Sequence, residues 1–147
     1  MVQSSRYTFT ILKEIDVHIL QALREKQVMS QKNVLGSELE SCSCNPLTGW
    51  FRDGLCRTDK SDQGMHTVCA VITEQFLSYS KAQGNDLSTP QIGFPGLKAG
   101  DRWCLCAPRW KEAFEDGMAP FIVLEATEES TLKIIDIDTL KKFSYKK

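Results

Sequence analysis

Two hydrophobic periodicities divide this chain. Near the N-terminus Leu12, Ile15, Ile19, Ala22 and Leu23 recur at helical spacing, with charged residues opposite and Thr10 placed to cap, which predicts an amphipathic helix. Residues 67–72 form instead a short, almost unbroken apolar run, the pattern of a buried strand. Thr73 then stands where it can cap a helix running to about Gln83 and closed by Gly84. A second strand-to-helix unit follows at residues 103–107. A period of two there puts Cys104 and Cys106 on one face and Trp103 and Leu105 on the other. Pro108 suits the first turn of the next helix, Trp110, Ala113 and Phe114 share its apolar stripe, and Gly117 offers a left-handed stop. Residues 121–126 predict a third strand and 132–135 a weaker fourth, while Asp138 is placed to cap a short last helix carrying Leu140 and Phe143. Between 33 and 66 turn residues dominate, and little regular structure is expected.

These elements compose an α+β fold. Residues 33–147 form one domain with a small mixed sheet, two or three packed helices and long loops, and residues 1–32 are an appended amphipathic helix. A layered α/β arrangement is the alternative. The apolar face of the extension predicts docking on the domain or, in a homo-oligomer built through this helix, on a second copy of the chain. Met29 can itself serve as a start, which would make the first 28 residues separable. A chain of 147 residues buries a core without staples, so its six cysteines are not forced to be cross-links. A net charge of −1 with 25% charged residues leaves no broad basic field, and nucleic acid is not an expected partner. No apolar run approaches membrane-spanning length, and Lys13, Glu14 and Asp16 interrupt what a signal peptide needs. The expectation is therefore a cytoplasmic protein with reduced thiols and no membrane partner.

The densest chemistry lies between Gly100 and Trp110, where two thiols and two indoles accompany Asp101, Arg102 and Arg109. Cys106 precedes a helix start and has two arginines near it in sequence, features that lower a thiol pKa toward the reactive thiolate. With Cys104 and with His66, the domain's own histidine, it makes a candidate nucleophile–base set; Asp53, Asp86 or Asp101 would fix the imidazole tautomer. Cys69, inside the first strand, reads most simply as core. Arg52, Asp53, Asn85, Asp86, Asp101, Arg102, Trp103 and Arg109 are candidate contacts to an unidentified small molecule, of anionic character given the arginines; the plain alternative is that they make turns and brace loops. The connection from Gly84 to Gly100, with four glycines and two prolines, is long enough to be a binding loop. No metal is favoured. Zinc, if held, would take Cys104, Cys106, His66 and Cys56, or Cys42 or Cys69 in place of Cys56, but the two-residue gaps of zinc knuckles are missing. A bridge within either close cysteine pair would be strained, whereas Cys42 or Cys44 could meet a distant partner. No phosphate-cradling glycine motif is present, which disfavours a nucleotide cofactor. The functional expectation is a small-molecule enzyme or binding protein with a pocket between the 104–109 turn, the 84–100 loop and the 52–54 turn. Its alternative is a non-catalytic interaction or zinc-binding module with structural cysteines. Whether a reaction occurs is left open.

Several segments carry a resemblance: Pro46-Leu47-Thr48-Gly49, Phe51-Arg52-Asp53-Gly54, His66-Thr67-Val68-Cys69-Ala70, Gly84-Asn85-Asp86-Leu87-Ser88-Thr89-Pro90, Phe94-Pro95-Gly96-Leu97 and Gly100-Asp101-Arg102-Trp103-Cys104-Leu105-Cys106-Ala107. Over roughly residues 33–143 the chain resembles the domain of unknown function family 2237, small uncharacterised bacterial proteins. It departs from that pattern in its additional Cys44, in a shorter loop between Pro90 and Phe94, and in Glu128, where many members carry a histidine. The resemblance implies no function.

Overall fold

The computed structural model describes residues 17–22 and 31–146. The chain divides into two compact units, residues 1–30 and 31–147. In the first, residues 17–22 are helical; the expected cap Thr10 and the stripe positions Leu12, Ile15 and Leu23 lie outside the described residues. The second unit is α+β.

Its centre is an antiparallel pair of strands, β1 (Val68–Val71) and β2 (Arg102–Leu105). The register sets Val68 against Leu105, Cys69 against Cys104, Ala70 against Trp103 and Val71 against Arg102. Because facing residues share a side and successive residues alternate, the ladder has two unlike faces. Val68, Ala70, Trp103 and Leu105 join the main apolar core, whereas Cys69 and Cys104 join a separate cluster with Cys42, Cys56 and Ala126. The alternation expected at 103–107 holds as far as Leu105. Cys106 has already turned away to become the N-cap residue of a helix, so it does not share a strand face with Cys104.

Helix α1 (Glu74–Ala82) begins where the Thr73 hydroxyl accepts the Phe76 N–H at 3.0 Å and stops at Gln83, ahead of Gly84 in the left-handed region. It buries Phe76, Leu77 and Ser80. Helix α2 (Ala107–Glu115) starts with Pro108 in its first turn and buries Ala107, Trp110 and Ala113. The Trp110 indole N–H donates to the Pro120 carbonyl at 3.0 Å, which satisfies the one polar atom of a fully buried side chain. Phe114 lies on the same stripe but at the core's rim, 39% exposed, and stacks on Trp110 with ring centroids 5.6 Å apart.

The mixed sheet is not formed as expected. Residues 121–126 make only single bridges, Ile122 to Ala70 antiparallel and Ile122 to Ser144 parallel, before a 3-10 turn at Leu124–Ala126. The reason is Thr127: its hydroxyl accepts the Cys69 N–H at 3.2 Å and donates to the Val123 carbonyl at 2.8 Å, occupying the place of the next ladder bond. Residues 132–135 are likewise not a strand. A second 3-10 segment, Glu129–Lys133, is capped by the Glu128 carboxylate, which accepts the Ser130 N–H at 2.9 Å. The last helix, α3 (Ile137–Lys142), is capped by Asp136 rather than Asp138, because the Asp136 carboxylate is the one aligned with the Thr139 N–H, at 2.9 Å. Leu140 of α3 is fully buried.

Trp110→Ala should destabilise the domain by about 3–5 kcal/mol, since it opens a cavity and leaves the Pro120 carbonyl without its donor; chemical denaturation of the two proteins measures this. Glu128 is buried, and burial pushes its carboxyl above the ordinary range, against the Ser130 hydrogen bonds that lower it. A raised folded-state pKa gives a stability contribution that is full below the unfolded pKa and is lost as pH rises through the folded value. Glu128→Gln should therefore raise the melting temperature at neutral pH and lose that advantage near pH 4, as melting curves at the two pH values would record.

Candidate functional site

An open cleft of about 250 Å³ is lined by Gly49, Trp50, Arg52, His66, Asp86, Leu87, Gln91, Phe94, Trp103 and Cys104. Four stretches build it: the turn at 49–52, the segment carrying His66 just before β1, the long loop after α1 and strand β2. The first is a tight turn in which Gly49 has φ +103°, and a Cβ there would fall 2.4 Å from the Leu55 carbonyl oxygen, so only glycine fits. Arg52 sits in the left-handed region at φ +54°. Its guanidinium donates to the Gly49 carbonyl at 2.7 Å and lies over the Trp103 ring, 5.0 Å from the centroid. A non-glycine residue held this way costs about 1–2 kcal/mol, a strain that surrounding contacts have to offset and that recurs at functional sites.

Met65, next to the histidine, is the other non-glycine residue with positive φ among the described residues, at +51°. It turns the chain so that His66 folds back on Asp62. The His66 ring lies with Nδ1 2.6 Å from Asp62 Oδ1, and the His66 backbone N–H donates to Asp62 Oδ2 at 2.9 Å. Thr58 donates its hydroxyl to the same Oδ2 at 3.0 Å. The Asp62 side chain is completely buried and that of His66 is 33% exposed, so the pair has an inner acid and an outer imidazole. The indole of Trp50 stacks on the ring, centroids 5.4 Å apart and planes within 15°. At the ring's edge is Gly64, where a Cβ would come 2.7 Å from Cε1. The imidazole is thus held by a carboxylate, an indole face and a bare backbone. A carboxylate at Nδ1 favours the proton on that nitrogen, and in the neutral imidazole of that tautomer the lone pair is on Nε2.

Cys106 does not complete this arrangement. Its thiol donates to the Gly64 carbonyl at 2.6 Å, and among the described residues no hydrogen bond joins it to His66. Burial pushes the thiol's pKa up, with the Asp62 charge acting in the same direction, while the Arg109 backbone N–H and charge pull it down. The expected acidification is reversed, because the chain packs Cys106 inward before the helix dipole can act. Cys104 lines the cleft but is bonded to Cys56, and Cys42 is bonded to Cys69. These two bridges leave four of the six sulfurs without a free thiol in this cross-linked state, and Cys69, fully buried as a core residue, is also one end of a bridge. They also remove Cys56 and Cys104 from a zinc shell with Cys106 and His66 in this cross-linked state. Cys44 is free and exposed.

Of the expected ligand contacts, Arg52, Asp86 and Trp103 line the cleft. Asp86 is held well below the usual carboxylate range by the Thr89 hydroxyl and by the N–H and hydroxyl of Ser88, so it is a loop cap whose acceptor sites are already filled. The others brace loops, for local partners were closer than any cleft. Asp53 pairs with Arg57 at 2.6 Å, and Asp101 pairs with Lys98 at 3.0 Å. Arg109 donates to the Gln83 carbonyl at 3.2 Å, and the Asn85 backbone is bound to Ser80. Arg102 reaches the Tyr145 ring, 5.7 Å from its centroid, at a separate depression lined by Phe121, Lys142, Ser144, Tyr145 and Lys146. Sequence reasoning missed Asp62, Trp50 and Gly64. Asp62 was legible as an acid four residues before the histidine with a glycine between them, a spacing that a tight turn closes.

Fold and site together define a small α+β domain with an acid–histidine pair in an aromatic-walled cleft. The chain belongs to the DUF2237 family, described as uncharacterized proteins conserved in bacteria, whose sequence pattern matches residues 32–144. No curated protein matches it. No helix among the described residues is long and apolar enough to cross a membrane.

The bridges predict a thiol count. Denatured without reductant, the chain should show two titratable thiols, Cys44 and Cys106, and after reduction all six. In the native protein Cys44 should alkylate fast and Cys106 slowly, as mass spectrometry of timed labelling would show.

Proposed function

We propose that the cleft binds a small anionic molecule and that the Asp62–His66 pair acts on it as a general base. The observation that carries this reading is the 2.6 Å contact between a fully buried carboxylate and the inner nitrogen of a half-exposed imidazole that lines the cleft. A buried acid in this position fixes the tautomer, orients the ring and stabilises the imidazolium formed when Nε2 takes a proton. A purely structural histidine needs no such partner on its inner side and an open outer side. Arg52 is the cation of the cleft, and its guanidinium, stacked on Trp103, presents its remaining N–H groups to a carboxylate or phosphate. Trp50, Trp103, Phe94 and Leu87 supply apolar walls, so the occupant combines one anionic group with a flat or apolar body. The cysteines do not enter this chemistry. Cys104 contributes a disulfide to the floor, and the reaction class is proton abstraction rather than thiol attack.

The test is a panel of small carboxylates and phosphate esters screened by nuclear magnetic resonance on the Trp50 and Trp103 indole signals. Compounds that bind should do so about 10- to 100-fold more weakly to Arg52→Ala, the loss of one charge-assisted bond of about 1.5–3 kcal/mol. His66→Gln should keep binding and lose about 10²- to 10⁴-fold in turnover of any panel member converted. A panel in which nothing shifts either indole, or whose hits ignore both substitutions, refutes the reading.

A further inference from the structure

We infer that Cys42, Cys56, Cys69 and Cys104, once reduced, form a site for one soft, four-coordinate metal ion of the zinc class. The starting observation is that the two bridges touch. The sulfurs of Cys42, Cys56 and Cys104 lie within 4.8 Å of one another although they belong to different bridges. Cys69 is bonded to Cys42 and faces Cys104 across the ladder, so the fourth sulfur borders the same cluster. Two bridges that served only as cross-links would have no reason to share one spot.

The geometry suits an ion. With metal–sulfur bonds of about 2.3 Å, a tetrahedral shell spaces its sulfurs about 3.8 Å apart. The Cys42 sulfur lies within 4.8 Å of those of Cys56 and Cys104, which are bonded to each other, and the released partners of each bridge have only to separate to the tetrahedral spacing. Two ligands come from the loop and two from the sheet, which gives the paired supply that closed structural sites use. The backbone holds three of the four positions without help from a sulfur–sulfur bond. The Cys104 N–H donates to the Thr48 hydroxyl at 2.8 Å, the Cys69 N–H to the Thr127 hydroxyl at 3.2 Å, and the Cys42 N–H to the Gly54 carbonyl at 2.7 Å. All four cysteines are buried, and Ala126 and Val123 wall the cluster, so solvent does not compete for the ion. Cys106 and His66 belong to another arrangement and are not ligands.

The chemistry balances in two stages. Each bridge takes two electrons and two protons from an external dithiol, whose own sulfurs join as a disulfide, while the protein's sulfur–sulfur bond breaks and two S–H bonds form. The ion then displaces one proton from each of the four thiols into solvent as metal–sulfur bonds form, with no further change of oxidation state. Bridged and metal-loaded forms therefore exclude each other. A reducing compartment such as the cytoplasm favours the second, and an oxidising one the first.

The experiment uses the full chain, reduced anaerobically with a phosphine, freed of excess reductant and titrated with cobalt(II), whose tetrahedral thiolate complex absorbs visible light. One equivalent should bind per reduced chain and none per bridged chain, with zinc displacing the colour. The loaded chain should melt at a higher temperature than the reduced metal-free chain. Cys44→Ser and Cys106→Ser should keep the site, and Cys56→Ser/Cys104→Ser should lose it. Timed alkylation of the loaded and of the reduced metal-free wild type, followed by mass spectrometry, reads the ligand set without relying on a variant that folds: Cys42, Cys56, Cys69 and Cys104 should gain protection on loading, and Cys44 and Cys106 should label at unchanged rates. The proposal is overturned if the reduced chain takes up no cobalt, if the double variant binds it as well as wild type, or if the protection gained on loading falls on Cys44 or Cys106.

Discussion

The antiparallel pairing of β1 with β2, in a register that sets Cys69 against Cys104, is the constraint on which the rest of the domain depends. Had the register slipped by one residue, the cysteines would have turned into the apolar core and Ala70 and Trp103 away from it. As built, one face of the pair packs against Phe76, Trp110 and Leu140, and the other carries two sulfurs to which the irregular segment before residue 66 is tied. That segment has little repetitive hydrogen bonding of its own. In the chain-entropy account, loops of 27 and 48 residues closed by a bridge stabilise by about 3.5 and 4 kcal/mol. These contributions hold in place a turn containing the left-handed Arg52.

The cleft follows from this tie. Trp50 and Arg52 come from the stapled segment, Trp103 from the strand, and Leu87 and Phe94 from the loop that returns from α1. The long loop keeps its shape through local bonds: Asp86 gathers the donors of Ser88 and Thr89, and Leu97 bonds back to Leu87. A wall made this way is formed before any occupant arrives, which lowers the ordering cost of binding.

Much of the fold was legible because its signals are local. The apolar run at 67–72, the Thr73 cap, Pro108 at the start of α2 and the glycines after both helices act over a few residues, and the structure follows them. The third and fourth strands failed because a side chain distant in sequence from β1, Thr127, takes a ladder bond, and because Glu128 caps its own turn; apolar alternation carries no trace of either. At the site, the scarce residue types His66, Arg52 and Trp103 stand out in the sequence, and all three line the cleft. Of the acids, Asp53 and Asp101 pair with a base within four residues, while Asp86 lines the cleft with its carboxylate bonded to Ser88 and Thr89. The bridges lay beyond reach because pairing six cysteines requires the topology that only the packed sheet supplies.

The bridges also interlace: Cys42 pairs past Cys56 to Cys69, and Cys56 pairs past Cys69 to Cys104. Every residue that lines the cleft, from Gly49 to Cys104, falls between the first and last of these cysteines, and so does Asp62. The polypeptide is thereby partitioned into a covalently enclosed portion that holds the cleft and Asp62 and an outer portion, α2 through α3, that packs against it and is tied to it by the Ala107 N–H donating to the Met65 carbonyl and the Glu128 N–H donating to the Thr67 carbonyl. The two portions meet on either side of His66, at Met65 and Thr67, so fraying at the start of α2 or at Glu128 reaches the backbone that carries the imidazole through single hydrogen bonds.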